Sequence, residues 1–134
     1  ATADALAGPG ARLPHQRGLR EIHFGAWEGR TVAELQAEAP DALRRYWESP
    51  GAAAPPGGES WDALSARVSA TVDALTGAAD DIVAVAHFGP ILTQIRRATG
   101  QSAAAMLATR IDNLSLTRLA FDGAWRVECV NETP

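Results

Sequence analysis

The chain has 134 residues, 46% of them apolar and 21% charged, with a formal net charge of −4. That length suffices for one domain with its own core, and the charge gives no basic field for holding nucleic acid or an anionic membrane surface, so any anion must be bound by a local pocket. No apolar run reaches the roughly 18 residues of a membrane span, no basic stretch precedes an apolar signal core, and the lone Cys129 precludes an internal disulfide or thiolate metal cluster. A reducing, cytoplasmic location is expected.

In chain order, "ATADALA" has helical composition but no starting Met, N-cap or entry loop, and reads as the second half of a helix. "GPGARLPHQRG", with three Gly and two Pro, reads as an irregular connection. "LREIHFGAWEG" packs aromatics and acids tightly, and Gly25 and Gly29 punctuate it as a structured loop. Thr31 with Glu34 three residues on is a capping box for a helix, and Pro40 permits a break and a new first turn before "DALRRYWES". "SPGAAAPPGGES" is too poor in apolar bulk to be core and reads as a surface loop. Ser60 then caps a helix carrying Trp61, Leu64, Val68, Val72 and Leu75 on one face and ending near Gly77. "DIVAVA" is a continuous apolar run of the kind buried on both faces of a parallel sheet. From Pro90, Ile91, Leu92 and Ile95 line one side of a helix that Gly100 closes, and Ser102 can cap a short helix through "AAAMLA". "LSLTRLAF" and "WRVECV", joined by Asp122, Gly123 and Ala124, form a hairpin.

This inventory leaves the run Ile82 to Ala86 without neighbours, because the only other good strands belong to one late hairpin. An upstream strand and helix are therefore expected to belong to the fold. At the end of that run stands His87. In open α/β sheets ligands bind beyond the carboxyl ends of strands, where a helix N-terminus offers free N–H groups to an anion. On position alone, a histidine satisfied by local backbone explains His87 equally well. The acidic, aromatic loop favours the functional reading: Glu21 could act as a general acid if burial favours its protonated form, with a cationic imidazole opposite holding a phosphoryl group.

"LREIHFGAWEG", "PPGGES" followed by Arg67 and Val68, "VAVAHFGPI", and "DNLSLTRL" followed by Trp, Val and Asn resemble, in order and spacing, the histidine phosphatase superfamily with its phosphoglycerate mutase-like fold. The resemblance covers about Ala1 to Asn131. It implies an α/β fold of three layers, α/β/α with a mostly parallel central sheet, over a single domain 1–134 that represents the C-terminal three quarters of the family fold. Members carry an N-terminal Arg-His-Gly strand whose histidine takes the phosphoryl group and whose arginine, with a second one downstream, clamps the phosphate. Ala1, Thr2 and Ala3 are similar to the residues just after that second arginine, so the chain is expected to lack the N-terminal strand. By the same resemblance Glu21 protonates the leaving oxygen and later activates water, and His87 contacts the phosphoryl oxygens. Thr2, Phe88, Gly89 and Asn113 fall at the phosphate or substrate. One departure stands out: Phe88 follows His87 where the family has Gly, with Gly89 coming next.

Alternatives accompany the other polar residues. Glu28 suits a hydrogen-bonded loop support better than a site residue, Ser60 is explained by capping as well as by catalysis, and Asn113 could orient a catalytic side chain or bond its own turn. His15 and His23 have no partner at metal-ligand spacing, so neither metal nor cofactor is expected. Trp27, Trp47, Trp61 and Trp125 read as core. Arg20, Arg30, Arg67 and Arg110 are candidates to replace the absent clamp, with no spacing to select one.

The expected function is phosphomonoester hydrolysis through a phosphohistidine, in the phosphatase branch that includes α-ribazole phosphatase-like proteins, acting on a small phosphorylated metabolite or binding inorganic phosphate. The alternatives are a non-catalytic phosphate-binding or regulatory domain, and a structural domain in which His87 and Glu21 never meet. An unpaired strand edge could also pair with a second copy as a homodimer.

Overall fold

A computed structural model describes residues 2–7 and 12–134. Ala1 and the first part of the expected irregular connection, residues 8–11, lie outside them. The elements in order are α1 (Thr2–Leu6), α2 (Val32–Glu38), α3 (Pro40–Glu48), α4 (Trp61–Leu75), α5 (Phe88–Thr99), α6 (Ala103–Leu107), β1 (Leu116–Phe121) and β2 (Trp125–Glu132), with single 3-10 turns at Arg17–Leu19 and Gly25–Trp27.

The helix boundaries follow local chemistry. Thr31 Oγ1 accepts from the Glu34 N–H at 3.3 Å while the Glu34 carboxylate accepts from the Thr31 N–H at 2.7 Å, closing the expected capping box. Pro40 occupies the first turn of α3, where its missing N–H costs nothing. Ser60 Oγ accepts from the Ala63 N–H at 3.1 Å and Ser102 Oγ from the Ala105 N–H at 3.2 Å, starting α4 and α6. Gly100, at φ 69°, ends α5 in the left-handed conformation. Ser60→Ala is expected to lower stability by about 1 kcal/mol through loss of the cap. A thermal unfolding midpoint unchanged within error would refute this.

Two cores result. In the larger, Trp61, Leu64 and Val68 of α4 meet Leu92 and Ile95 of α5, with Ile22, Ala103 and Met106 completing the cluster and Val127 and Val130 of the hairpin packed against it. The smaller gathers Trp27, Leu35, Leu43 and Tyr46, with the Trp27 and Tyr46 rings edge to face at 5.4 Å. Phe24 packs against both and so ties the acidic loop to each. Trp27 and Trp61 are core as expected, whereas Trp47 is 47% exposed, its ring set edge-on against Tyr46 at the border of the small cluster.

The hairpin forms where the sequence placed it, antiparallel, with Leu119 opposite Val127 and Phe121 opposite Trp125, turning at Gly123 with φ 100°. It is the single sheet among the described residues, so the mostly parallel central sheet is not observed. Residues 82–86 form no ladder, and Val83 is 79% exposed. Apolar, β-branched sequence makes a strand only when a neighbouring backbone takes up its N–H and C=O groups, and none is in place among the described residues.

Residues 49–60 form the expected surface loop, exposed or half-buried except at Pro55, and the loop also makes a docking contact. Pro55 is buried, and the segment docks on the acidic loop through Ala26 N–H to Pro56 O at 2.9 Å and Glu59 N–H to His23 O at 2.7 Å. The glycines make this approach possible: a Cβ on Gly58 would lie 2.7 Å from His23 O.

Candidate active site

His87 is the N-cap residue of α5, with φ −122° and ψ 170°, and its carbonyl accepts from the Ile91 N–H at 3.1 Å. Its imidazole makes no capping hydrogen bond, so local backbone does not absorb the side chain. Phe88 beside it is exposed, while Gly89 and Pro90 are buried beneath them.

Glu21 reaches this turn from 68 residues earlier. Its carboxylate accepts from the Gly89 N–H at 3.1 and 3.2 Å, and Oε1 also accepts from its own neighbour, the Ile22 N–H, at 2.8 Å. A Cβ on Gly89 would lie 2.3 Å from Glu21 Oε1, so only glycine lets the carboxylate come this close. A free amide in the first turn of α5, suited to an anion, here meets the protein's own carboxylate. The arrangement joins the two candidate residues' segments at the start of α5.

The loop bearing Glu21 is held from several sides. Glu28 Oε1 accepts from the Phe24 N–H at 2.9 Å, the loop support expected of it. Arg67 of α4 donates to both Glu59 carboxylate oxygens, at 2.8 and 2.6 Å, and these hydrogen bonds hold the Glu59 carboxyl below the usual carboxylate range. Tyr46 lies close enough to feel both acids: burial first, then the charges of Glu21 and Glu59, push its hydroxyl above the usual tyrosine range.

Among the described residues, the other candidates make no hydrogen bond to Glu21 or His87. Thr2 is exposed at the head of α1, a helix without buried residues, and no hydrogen bond links it to Glu21 or His87. Asn113 is exposed in the turn before β1. That turn is fastened by Asn131, whose Oδ1 accepts from the Asp112 N–H at 2.6 Å and whose Nδ2 donates to Asp112 Oδ2 at 3.0 Å. Asn131, the asparagine of the last resemblance motif, stands at φ 57°, a conformation that asparagine tolerates. Of the candidate arginines, Arg30 pairs with Glu38, Arg110 with Asp112 at 2.8 Å, and Arg20 Nε donates to Arg17 O at 3.3 Å. Among the described residues no three His, Cys, Asp or Glu side chains come together as a metal site, and no helix is long and apolar enough to cross a membrane.

Known proteins resemble this chain in sequence and fold. The profile of the histidine phosphatase superfamily (branch 1) matches residues 1–133. A bifunctional protein of Mycobacterium tuberculosis is 34% identical over 119 residues, covering 86% of this chain and 32% of its own length. Mycobacterial glucosyl-3-phosphoglycerate phosphatase, solved in complex with inorganic phosphate, superposes with a TM-score of 0.73 at 32% identity, over 88% of this chain and 64% of that one. The α-ribazole phosphatase of Shigella flexneri superposes with a TM-score of 0.74 at 25% identity, over 87% and 59%. The chain spans about a third of the length of the curated relatives it matches, 32% and 37% in two of them. With nearly its whole length inside one family profile, this chain belongs to branch 1 of the histidine phosphatase superfamily.

Proposed function

We propose that this chain carries the acid–base and phosphoryl-binding part of a phosphomonoester hydrolase. The observation that carries the reading is the Glu21 carboxylate seated on the Gly89 N–H, two residues beyond His87. In this scheme His87 donates to the phosphoryl oxygens and offsets the charge gathering on them as the group transfers. Glu21 gives a proton to the departing alkoxide. The phosphoryl group passes to a histidine of the intact enzyme, for which none of His15, His23 or His87 is assigned. Glu21, now a carboxylate, takes a proton from the water that attacks the phosphohistidine, and the cycle releases phosphate and alcohol.

The relatives' names support a small phosphorylated metabolite as substrate, with phosphorylated sugars the first class to test. The exposed Phe88 would border the phosphoryl pocket and narrow it. In the full-length protein, His87→Ala is expected to lower kcat/KM toward sugar phosphates by roughly 10²–10³-fold, the usual cost of one preorganised donor to a developing charge. Undiminished turnover would remove His87 from the mechanism. A full-length protein that binds inorganic phosphate but hydrolyses no phosphomonoester would favour the regulatory reading.

A further inference from the structure

The geometry points to Arg67 as the positioning residue for Glu21, acting through the backbone of residues 18–21; this rests on the reading of Glu21 as proton donor. A guanidinium has five N–H groups. Arg67 Nε donates to Glu59 Oε1 at 2.8 Å, Nη2 to Glu59 Oε2 at 2.6 Å and to Glu21 O at 3.5 Å, and Nη1 to Gly18 O at 2.8 Å and Arg20 O at 3.1 Å. Every N–H is therefore committed, and none is left for a phosphate oxygen. Arg67 is thereby removed from the candidates for the absent clamp.

Its targets identify a different task. Three of the five contacts fall on carbonyls of the segment that ends at Glu21, and the other two fall on Glu59, whose N–H donates to His23 O at 2.7 Å just beyond it. The segment is pressed onto α4 at Gly18, where a Cβ would lie 1.7 Å from Thr71 Oγ1, and Thr71 Oγ1 in turn donates to Arg67 O at 2.9 Å. Glu21 is thus held at two points, its backbone by Arg67 and its carboxylate tip by the Gly89 N–H. A planar, partly buried fork paired bidentately with Glu59 gives the first point its rigidity, which a lysine ammonium cannot reproduce. Without it the backbone gains freedom, and the tip no longer meets a leaving oxygen at a fixed distance.

The test exploits leaving-group chemistry in the full-length enzyme. 2,4-Dinitrophenolate departs without a proton, whereas the alkoxide of an alkyl phosphate such as glycerol 2-phosphate must receive one. Glu21→Gln is the reference: its loss on glycerol 2-phosphate should exceed its loss on 2,4-dinitrophenyl phosphate by roughly 10²-fold or more. Arg67→Lys is expected to show the same bias at about 10-fold, read in kcat/KM, which reports the step in which the leaving group departs, and to add little when combined with Glu21→Gln. Equal losses on both substrates in Arg67→Lys, with the bias intact in Glu21→Gln, would mean that Arg67 only stabilises the fold, and would overturn the inference alone. No bias in Glu21→Gln would overturn the proton-donor reading and this inference with it. Should Arg67→Lys fail to fold, Glu59→Gln, which keeps the shape but removes the charge that fixes the fork, takes its place: a bias toward glycerol 2-phosphate supports the inference and equal losses overturn it.

Discussion

Replacing Glu21 with Gln is expected to lower kcat/KM of the full-length enzyme toward alkyl phosphates by roughly 10²–10⁴-fold, the range for losing a positioned general acid. The substitution is nearly isosteric, so the contact with the Gly89 N–H at 3.1 Å can persist through the amide oxygen while the transferable proton is lost. The fold should therefore be retained and phosphate binding at His87 little changed, which places the loss in kcat. Steady-state kinetics with glycerol 2-phosphate, beside a thermal melt of the same preparation, checks this. Activity within about threefold of wild type would exclude Glu21 as the acid. Gly89→Ala makes the complementary point, since its Cβ would lie 2.3 Å from the same carboxylate oxygen and must displace it.

Leu92→Ala is expected to destabilise the protein by about 2–5 kcal/mol, the cost of lost apolar transfer plus the cavity left behind. Leu92 is fully buried on α5, within the cluster that includes Leu64 and Val68 of α4, and α5 is the helix whose N-cap is His87 and whose second residue is Gly89. Because interiors are packed to crystal-like density, the surrounding side chains can relax only partly into the space. Denaturant unfolding measures the loss directly. A change below about 1 kcal/mol would show that the contact between α4 and α5 is not the main source of the domain's stability. A residual activity loss in folded enzyme would report a shift of the His87 turn.

The local sequence determined much of this protein. Thr31 with Glu34, Pro40, Ser60, Gly100 and Ser102 each satisfy or end a helix through chemistry within a few residues, so the starts of α2, α3, α4 and α6 and the end of α5 were legible from the chain alone. The turn at Gly123 likewise set the hairpin. The motifs carrying Glu21 and His87 were legible through family resemblance, and so was the family itself.

What the sequence could not supply was the partner of each long-range contact. The run at 82–86 is as strand-like as any in the chain, yet a strand is a property of two backbones and none pairs with it among the described residues. The Pro- and Gly-rich segment at 49–60 was legible as a surface loop because composition reports apolar bulk, whereas its docking on residues 23–26 uses backbone groups that composition does not register. The same limit hid the bonds that place Glu21. Arg67 lies 46 residues away and Gly89 lies 68 away, separations at which no periodicity or capping rule operates. Short-range chemistry wrote the helices and the hairpin into the sequence; only the tertiary structure, by bringing α4 and the start of α5 against one loop, decided which backbone groups hold Glu21 at the turn after His87.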